Sequence, residues 1–161
     1  MLTSRRDYIL RIIDEVSRLL ARVVFKRRGG EPQEPLQTVV QACERLFAMD
    51  ADKLFQLSPD QHYAMLVEGE QPEIARNKAL IYAALNAEAG RLYRQLQRPE
   101  LARAAFLAAL RVSLKARVEF PATPLPEFAP DIPGLIDALA GEPLDDDTAA
   151  LVKTFRGTPA S

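Results

Sequence analysis

Apolar residues recur at three- and four-residue intervals along almost the whole chain, and this pattern restricts the fold more than any other feature. The first such stripe runs from Ile9 to Val24, a spacing that gives a helix one apolar face. No stretch alternates apolar and polar residues in the period of two that is typical of a half-buried strand. The sequence therefore predicts an all-α protein built from antiparallel helices.

Prolines, glycines and capping residues indicate where the helices begin and end. Gly29–Gly30 favours an end to the first helix, and Ser4 with Asp7 resembles a capping box that starts it near residue 5. Ser58, Pro59 and Gln61 form a second start signal. Helices are predicted at 5–28, from Pro35 to about 48, at 59–67, 72–96 and 99–118, with a short turn after Asp50 and two modest helices near 131–140 and 145–156.

The composition of the chain changes after residue 118. Residues 119–134, "EFPATPLPEFAPDIPG", hold five of the twelve prolines, and so many prolines favour extended backbone over helix. The 161 residues suffice for one ordinary domain. We predict a helical domain over 1–118, and an acidic, Pro-rich region with two short helices over 119–161 that packs on it or caps it.

Charge is distributed unevenly along the chain. Residues 1–28 contain eight Lys/Arg and three acids, a net charge of +5, whereas residues 121–150 contain seven acids and no base, a net charge of −7. Such a chain can contact itself or bind a charged partner at either end. Nucleic-acid binding through the basic first helix is one alternative, centred on Arg22, Lys26, Arg27 and Arg28. The acidic pI of the whole chain, about 5.9, and the lack of interleaved exposed aromatics disfavour it.

The stretch 88–110, "EAGRLYRQLQRPELARAAFLAAL", carries small and aromatic residues at fixed offsets. When a helical-hairpin unit is numbered from Ala83, its positions 8, 11, 20, 24 and 27 are occupied by Gly90, Tyr93, Ala102, Phe106 and Ala109. These landmarks resemble the tetratricopeptide repeat, a 34-residue pair of antiparallel helices. In such a pair Gly90 and Ala102 allow the helices to approach closely, while Tyr93 and Phe106 fill the space beside them. The pattern departs from the family at Asn86, Ala89 and Leu114.

A second, degenerate copy is suggested in the first third of the chain. There Gly30 takes the turn between helices, followed by Pro35, Val39 and Ala42 at the later landmarks. The opening of the chain also looks like a group of small bacterial helical proteins with repeat-like hairpins and no assigned activity. These resemblances imply a short, right-handed solenoid or bundle of stacked hairpins.

The resemblance also implies a peptide-binding groove lined by the first helix of each hairpin. The residues that would face it are Ala84, Ala87, Glu88, Arg91, Arg94 and Gln95. Arg91 and Arg94 would then hold a carboxylate or an acidic peptide. Ordinary exposed arginines are an equally good interpretation. In a third interpretation, the acidic segment 121–147 crosses the basic face and fills the groove within the same molecule.

Residues that could support catalysis are few. His62 is the single histidine, and its place in a helix beside Tyr63 predicts an ordinary surface or half-buried side chain. Cys43, the single cysteine, falls in an apolar stripe, which indicates a buried and unreactive thiol. The three aspartates 145–147 are expected to favour a helix N-terminus rather than to bind a metal. No phosphate-binding glycine loop is present, and we predict no cofactor and no metal.

The sequence therefore favours a non-catalytic protein-interaction module with a protein or peptide partner, over a nucleic-acid-binding regulator or a small enzyme. Several helices carry wider apolar stripes than one hairpin can cover, so a homodimer is a further expectation. Acids at positions 7, 14 and 15 interrupt what would be the apolar core of a signal peptide. No stretch reaches the roughly 18 apolar residues of a membrane span. A cytoplasmic protein is expected.

Overall fold

The computed structural model describes residues 2–157, and within this range the chain forms eight helices and no strand. The all-α prediction is confirmed. The helices are α1 (Leu2–Arg28), α2 (Gln33–Phe47), α3 (Ala51–Leu54), α4 (Pro59–Val67), α5 (Pro72–Gln95), α6 (Pro99–Glu119), α7 (Ile132–Ala138) and α8 (Asp146–Gly157).

The first two helices form an N-terminal hairpin, α1–α2. Gly30 makes the turn with a φ of 85°, a backbone conformation that favours glycine. Across the hairpin, Arg45 Nε donates to a Glu15 carboxylate oxygen at 2.7 Å. The predicted start near residue 5 is wrong, because α1 begins at Leu2 and includes Ser4. A capping pattern favours a helix start but does not prevent helical backbone before it.

The second hairpin, α5–α6, depends on a close approach at Gly90. A Cβ placed on Gly90 would lie 2.8 Å from three ring carbons of Phe106 in α6, which is well inside ordinary van der Waals contact. The turn closes when the Arg98 amide donates to the Tyr93 carbonyl at 2.9 Å, with Gln97 at a φ of 59°. Gly90 and Phe106 are therefore packed against each other, as the spacing of small and aromatic residues predicts.

Helix α5 is the central helix of the fold. It packs against both helices of the first hairpin, against α4 and along most of α6. Fifteen of its residues are buried. The run from Ala79 to Leu85 is apolar on every side, which is typical of a helix enclosed by neighbours.

Short helices link the two hairpins. The predicted start of α4 at Pro59 is confirmed. Ser58 and Gln61 form a reciprocal capping box there: the Gln61 backbone amide donates to Ser58 Oγ at 3.1 Å, and the Ser58 backbone amide donates to Gln61 Oε1 at 2.8 Å. Beyond α4, Glu70 accepts from Arg5 at 2.7 Å. This ion pair ties the start of α1 to the segment that precedes α5.

The chain after α6 returns over the α5–α6 hairpin. Leu125, Phe128 and Ala129 pack against the main core, and α7 and α8 pack against α6. Arg111 of α6 donates to Asp60 in α4 at 2.8 Å and to Asp145 at 3.3 Å. Asp145 in turn accepts from the Thr148 amide at 3.1 Å, which caps the start of α8.

Candidate functional site

An apolar recess lies where α2 faces α5 and α6. We call it the trough; its volume is about 330 Å³. Its residues on α5 follow one another at steps of three and four and form one stripe. The lining residues are Gln33, Leu36, Gln37, Val39, Val40, Cys43, Phe55, Tyr82, Asn86, Ala89, Tyr93 and Ala105. None of them is charged, and the polar groups among them are amides, phenols and one thiol.

Part of the trough is the uncovered edge of the apolar stripe on α2. Val39 and Cys43 are buried against the core, whereas Leu36 and Val40, one step around the helix, are only half-buried. At the rim, 53% of Phe55 is exposed. The trough therefore offers an apolar surface that the fold itself does not cover, at the small end of the sizes typical of binding pockets.

A buried hydrogen-bonded chain fixes one wall of the trough. His62 Nε2 lies 2.6 Å from the Leu54 carbonyl oxygen, and His62 Nδ1 is hydrogen-bonded to the Tyr82 hydroxyl. A carbonyl only accepts, so Nε2 carries the proton and, in the neutral ring, Nδ1 accepts from Tyr82. The rings of His62 and Tyr82 also meet nearly edge-on, at 85°.

The prediction of a surface or half-buried His62 is wrong, since only 3% of it is exposed. Its hydrogen-bond partners come from α3 and α5, and the local sequence contains no sign of them. Both ring nitrogens are occupied within the fold. This arrangement suits a side chain that positions α3 and Tyr82.

Cys43 lies at the base of the trough and is 3% exposed. Burial raises the pKa of its thiol to about 12, because the apolar surroundings disfavour the thiolate. The thiolate is the reactive form of cysteine. The buried, unreactive thiol expected from the sequence therefore agrees with the environment of Cys43.

A charged cluster occupies the opposite side of α5. The buried carboxylate of Glu88 accepts from Arg27 of α1 and, at 2.8 Å, from Arg91. The Gln95 amide also donates to the Arg27 carbonyl oxygen at 3.2 Å. These contacts fasten the end of α1 to α5, and Arg91 keeps 43% of its side chain exposed.

The structure places the six residues predicted for a groove in two groups. Ala84, Ala87 and Glu88 are buried, whereas Arg91, Arg94 and Gln95 are exposed. Arg94 donates to the Ala138 carbonyl oxygen at 2.6 Å and lies over the Phe106 ring. The exposed members thus remain the available part of the predicted site, and a role in binding a partner stays a prediction.

The acidic C-terminal region is held by arginines of the second hairpin. Arg103 pairs with Glu142 at 3.3 Å and Arg111 with Asp145, and Arg94 holds the end of α7. On α1, Arg22 and Arg28 are exposed and form no ion pair with any described residue, while Lys26 lies 3.6 Å from Glu34. Two of the four basic residues proposed for nucleic acid, Lys26 and Arg27, are therefore already paired within the protein.

Other classes of site find little support in residues 2–157. No three His, Cys, Asp or Glu side chains cluster there in a way that could hold a metal ion. None of the helices in that range has both the length and the apolar character needed to cross a membrane. Comparison of the chain with protein-family models, curated proteins and solved structures found no match.

Proposed function

We propose that this protein is a non-catalytic, cytoplasmic interaction module of the tetratricopeptide-repeat type, and that the trough is where it holds a partner. The partner is a peptide segment that inserts a neutral, apolar side chain between α2 and α5. The observation that carries the proposal is an apolar recess on the surface whose lining contains no charged residue.

The character of the trough favours an apolar side chain over a charged group. Burial of apolar surface contributes about 25 cal/mol per Å², whereas an unpaired charge placed among Leu36, Val40 and Ala89 would lose hydration without compensation. The amides of Gln33 and Gln37 lie beside this surface and offer neutral donors and acceptors to a peptide backbone. This combination of an apolar floor and a few polar groups is typical of binding pockets.

The helix arrangement supports the repeat-like part of the proposal. In stacked hairpins each first helix packs against both helices of the preceding hairpin, and α5 contacts both α1 and α2. Gly90 and Phe106 meet as the repeat pattern requires. The C-terminal helices cover the outer side of α6, where a stack of repeats needs a cap.

A displayed library of random 12-residue peptides tests the proposal whatever the sequence of the natural partner. Val40→Trp fills the trough from the α2 side, where Val40 is half-buried. Gln41→Trp is the matched control, since Gln41 is the exposed next residue and does not line the trough. Circular dichroism confirms that each variant is folded before selection.

We expect the wild-type protein to enrich peptides that share one large apolar residue. Replacement of that residue by Ala should weaken binding at least tenfold, since loss of a buried large side chain costs about 1.5–3 kcal/mol. Val40→Trp should abolish binding, and Gln41→Trp should leave it unchanged. Failure to enrich any peptide, or equal binding to both variants, refutes the trough as the partner site.

A further inference from the structure

Arg76 is a buried arginine that lacks an acidic partner. It lies in the second turn of α5 and only 3% of it is exposed. Its Nε donates to Asn77 Oδ1 at 3.2 Å and its Nη1 donates to the Ala122 carbonyl oxygen. Both acceptors are neutral, and Arg76 forms no ion pair with any carboxylate in residues 5–157.

A second arginine without an acidic partner lies near it. Arg117, in the last turn of α6, is half-buried and its guanidinium lies 5.2 Å from the centre of the Phe155 ring. Burial, followed by the positive charge of Arg76, lowers the pKa of Arg117. No carboxylate of the described chain offsets either effect. The second turn of α5 and the last turn of α6 lie at the same end of the antiparallel α5–α6 hairpin, so the two arginines share that end.

Such an arrangement is costly unless a counter-ion is present. Burial of an unpaired charge costs several kcal/mol after relaxation, and a neighbouring like charge adds to this cost. Glu88, the other buried charged residue among those described, accepts from two arginines, and the half-buried Arg111 of α6 pairs with two aspartates. Arg76 and Arg117 depart from that pattern.

We propose that Arg76 and Arg117 form a binding site for a phosphoryl group. A phosphoryl oxyanion carries about −1.5 to −2 charges at neutral pH and matches two guanidinium groups in charge. Guanidinium groups also donate in pairs to phosphoryl oxygens, which makes arginine well suited to hold them. Arg76 Nη2 has no partner among the described residues and is not among their fully enclosed, unpaired atoms, so this nitrogen is left to donate to a bound oxygen.

The site also has a structural consequence. Arg76 holds the Ala122 carbonyl and thus the Pro-rich segment against α5. A phosphoryl group beside Arg76 would offset the cost of burying its charge, and so favour the folded arrangement in which Arg76 donates to Ala122. The bound anion would stabilise the junction between α5, α6 and the C-terminal region.

Inorganic phosphate and glycerol phosphate are the probes, with sodium chloride at equal ionic strength as the reference. Side-chain Nε–Hε resonances of Arg76 and Arg117 should shift with saturation in phosphate, while that of Arg22 should not. At phosphate concentrations near 100 times Kd, Tm should rise by roughly 5–10 °C above the chloride reference. Tighter binding of glycerol phosphate than of phosphate identifies a phosphate ester as the preferred source; the reverse identifies the free ion.

Two variants separate the site from a purely structural role. Arg76→Met removes the buried charge, and such replacements are often neutral or stabilising; Arg117→Met leaves the bond to Ala122 intact. Both should lose the phosphate-dependent rise in Tm, whereas Arg22→Met, which removes an exposed charge on α1, should retain it. A wild-type response no larger in phosphate than in chloride, or an unchanged response in both site variants, overturns the proposal.

Discussion

Replacement of Gly90 by Ala tests the packing of the second hairpin, because two effects of opposite sign compete. Ala favours an α-helix over Gly by about 0.8–1 kcal/mol. The added methyl group, however, would lie 2.8 Å from Cδ1, Cε1 and Cζ of Phe106. Phe106 is 2% exposed and is covered by the Arg94 guanidinium, 4.5 Å from the ring centre, so it has little space into which to move.

Steric overlap of this kind costs about 1–3 kcal/mol in a packed core. We therefore expect Gly90→Ala to lower the free energy of unfolding by about 1 kcal/mol, the difference between the overlap and the gain in helix propensity. Urea unfolding followed by circular dichroism measures this change as a lower midpoint at an unchanged slope.

Phe106→Leu provides the matched background, because it removes the ring that the new methyl group would meet. There, Gly90→Ala should raise the free energy of unfolding by about 1 kcal/mol, since only the propensity term remains. The two substitutions should thus be coupled by about 2 kcal/mol. If Gly90→Ala stabilises the wild-type protein as much as the Phe106→Leu variant, Gly90 is not required for the close approach of α5 and α6.

Three further predictions concern local environments. Cys43 should react with iodoacetamide at pH 8 at least a hundredfold more slowly in the folded protein than in urea, because burial raises its pKa to about 12; equal rates would contradict its burial. Asp145→Ala should destabilise the protein by about 1 kcal/mol at pH 7 through loss of the α8 cap. The hydrogen bond from Thr148 and the charge of Arg111 lower the pKa of Asp145 from 3.8. The difference in unfolding free energy between the wild-type protein and Asp145→Ala should therefore persist at neutral pH and shrink only as the pH falls below 3.8. A constant difference down to pH 2 would refute the role of the Asp145 carboxylate as the cap. His62→Ala should cost about 2–4 kcal/mol in urea unfolding, since it leaves buried Tyr82 without its partner, and a change below 0.5 kcal/mol would show that the hydrogen-bonded chain is dispensable.

The sequence was most informative where local chemistry decides the structure. Pro59, Pro72 and Pro99 stand at the first helical positions, where their missing amide hydrogen carries no cost. The closeness of Gly90 and Phe106 was also predictable, because a glycine within a strong helix needs a packing reason. These signals require only a few neighbouring residues.

The candidate sites depend on residues far apart in the chain, which explains why the sequence did not reveal them. The trough joins α2 to α5 and α6, and only the surplus width of the α2 stripe at Leu36 and Val40 hints at it. His62 is buried because Leu54 and Tyr82 supply its partners. The sequence around Arg76 predicts only an ordinary exposed helix arginine, because its contact with Ala122 comes from the distant Pro-rich segment.

The charge asymmetry was a partly useful indication. The acidic C-terminal region does meet arginines of its own chain, but they are Arg94, Arg103 and Arg111 of α5 and α6. The basic face of α1 keeps Arg22 and Arg28 exposed. Net charge indicated that the acidic region would be attracted to a basic surface, and helix packing determined which one.

Intermolecular nuclear Overhauser effects between a selected peptide and the protein test the central claim most directly. With methyl groups of the protein labelled, we predict effects from the peptide's large apolar side chain to Val40, Leu36 and Ala89. Effects confined to methyl groups outside the trough, such as those of Leu10 on the exposed face of α1, would contradict the assignment of the trough as the partner site.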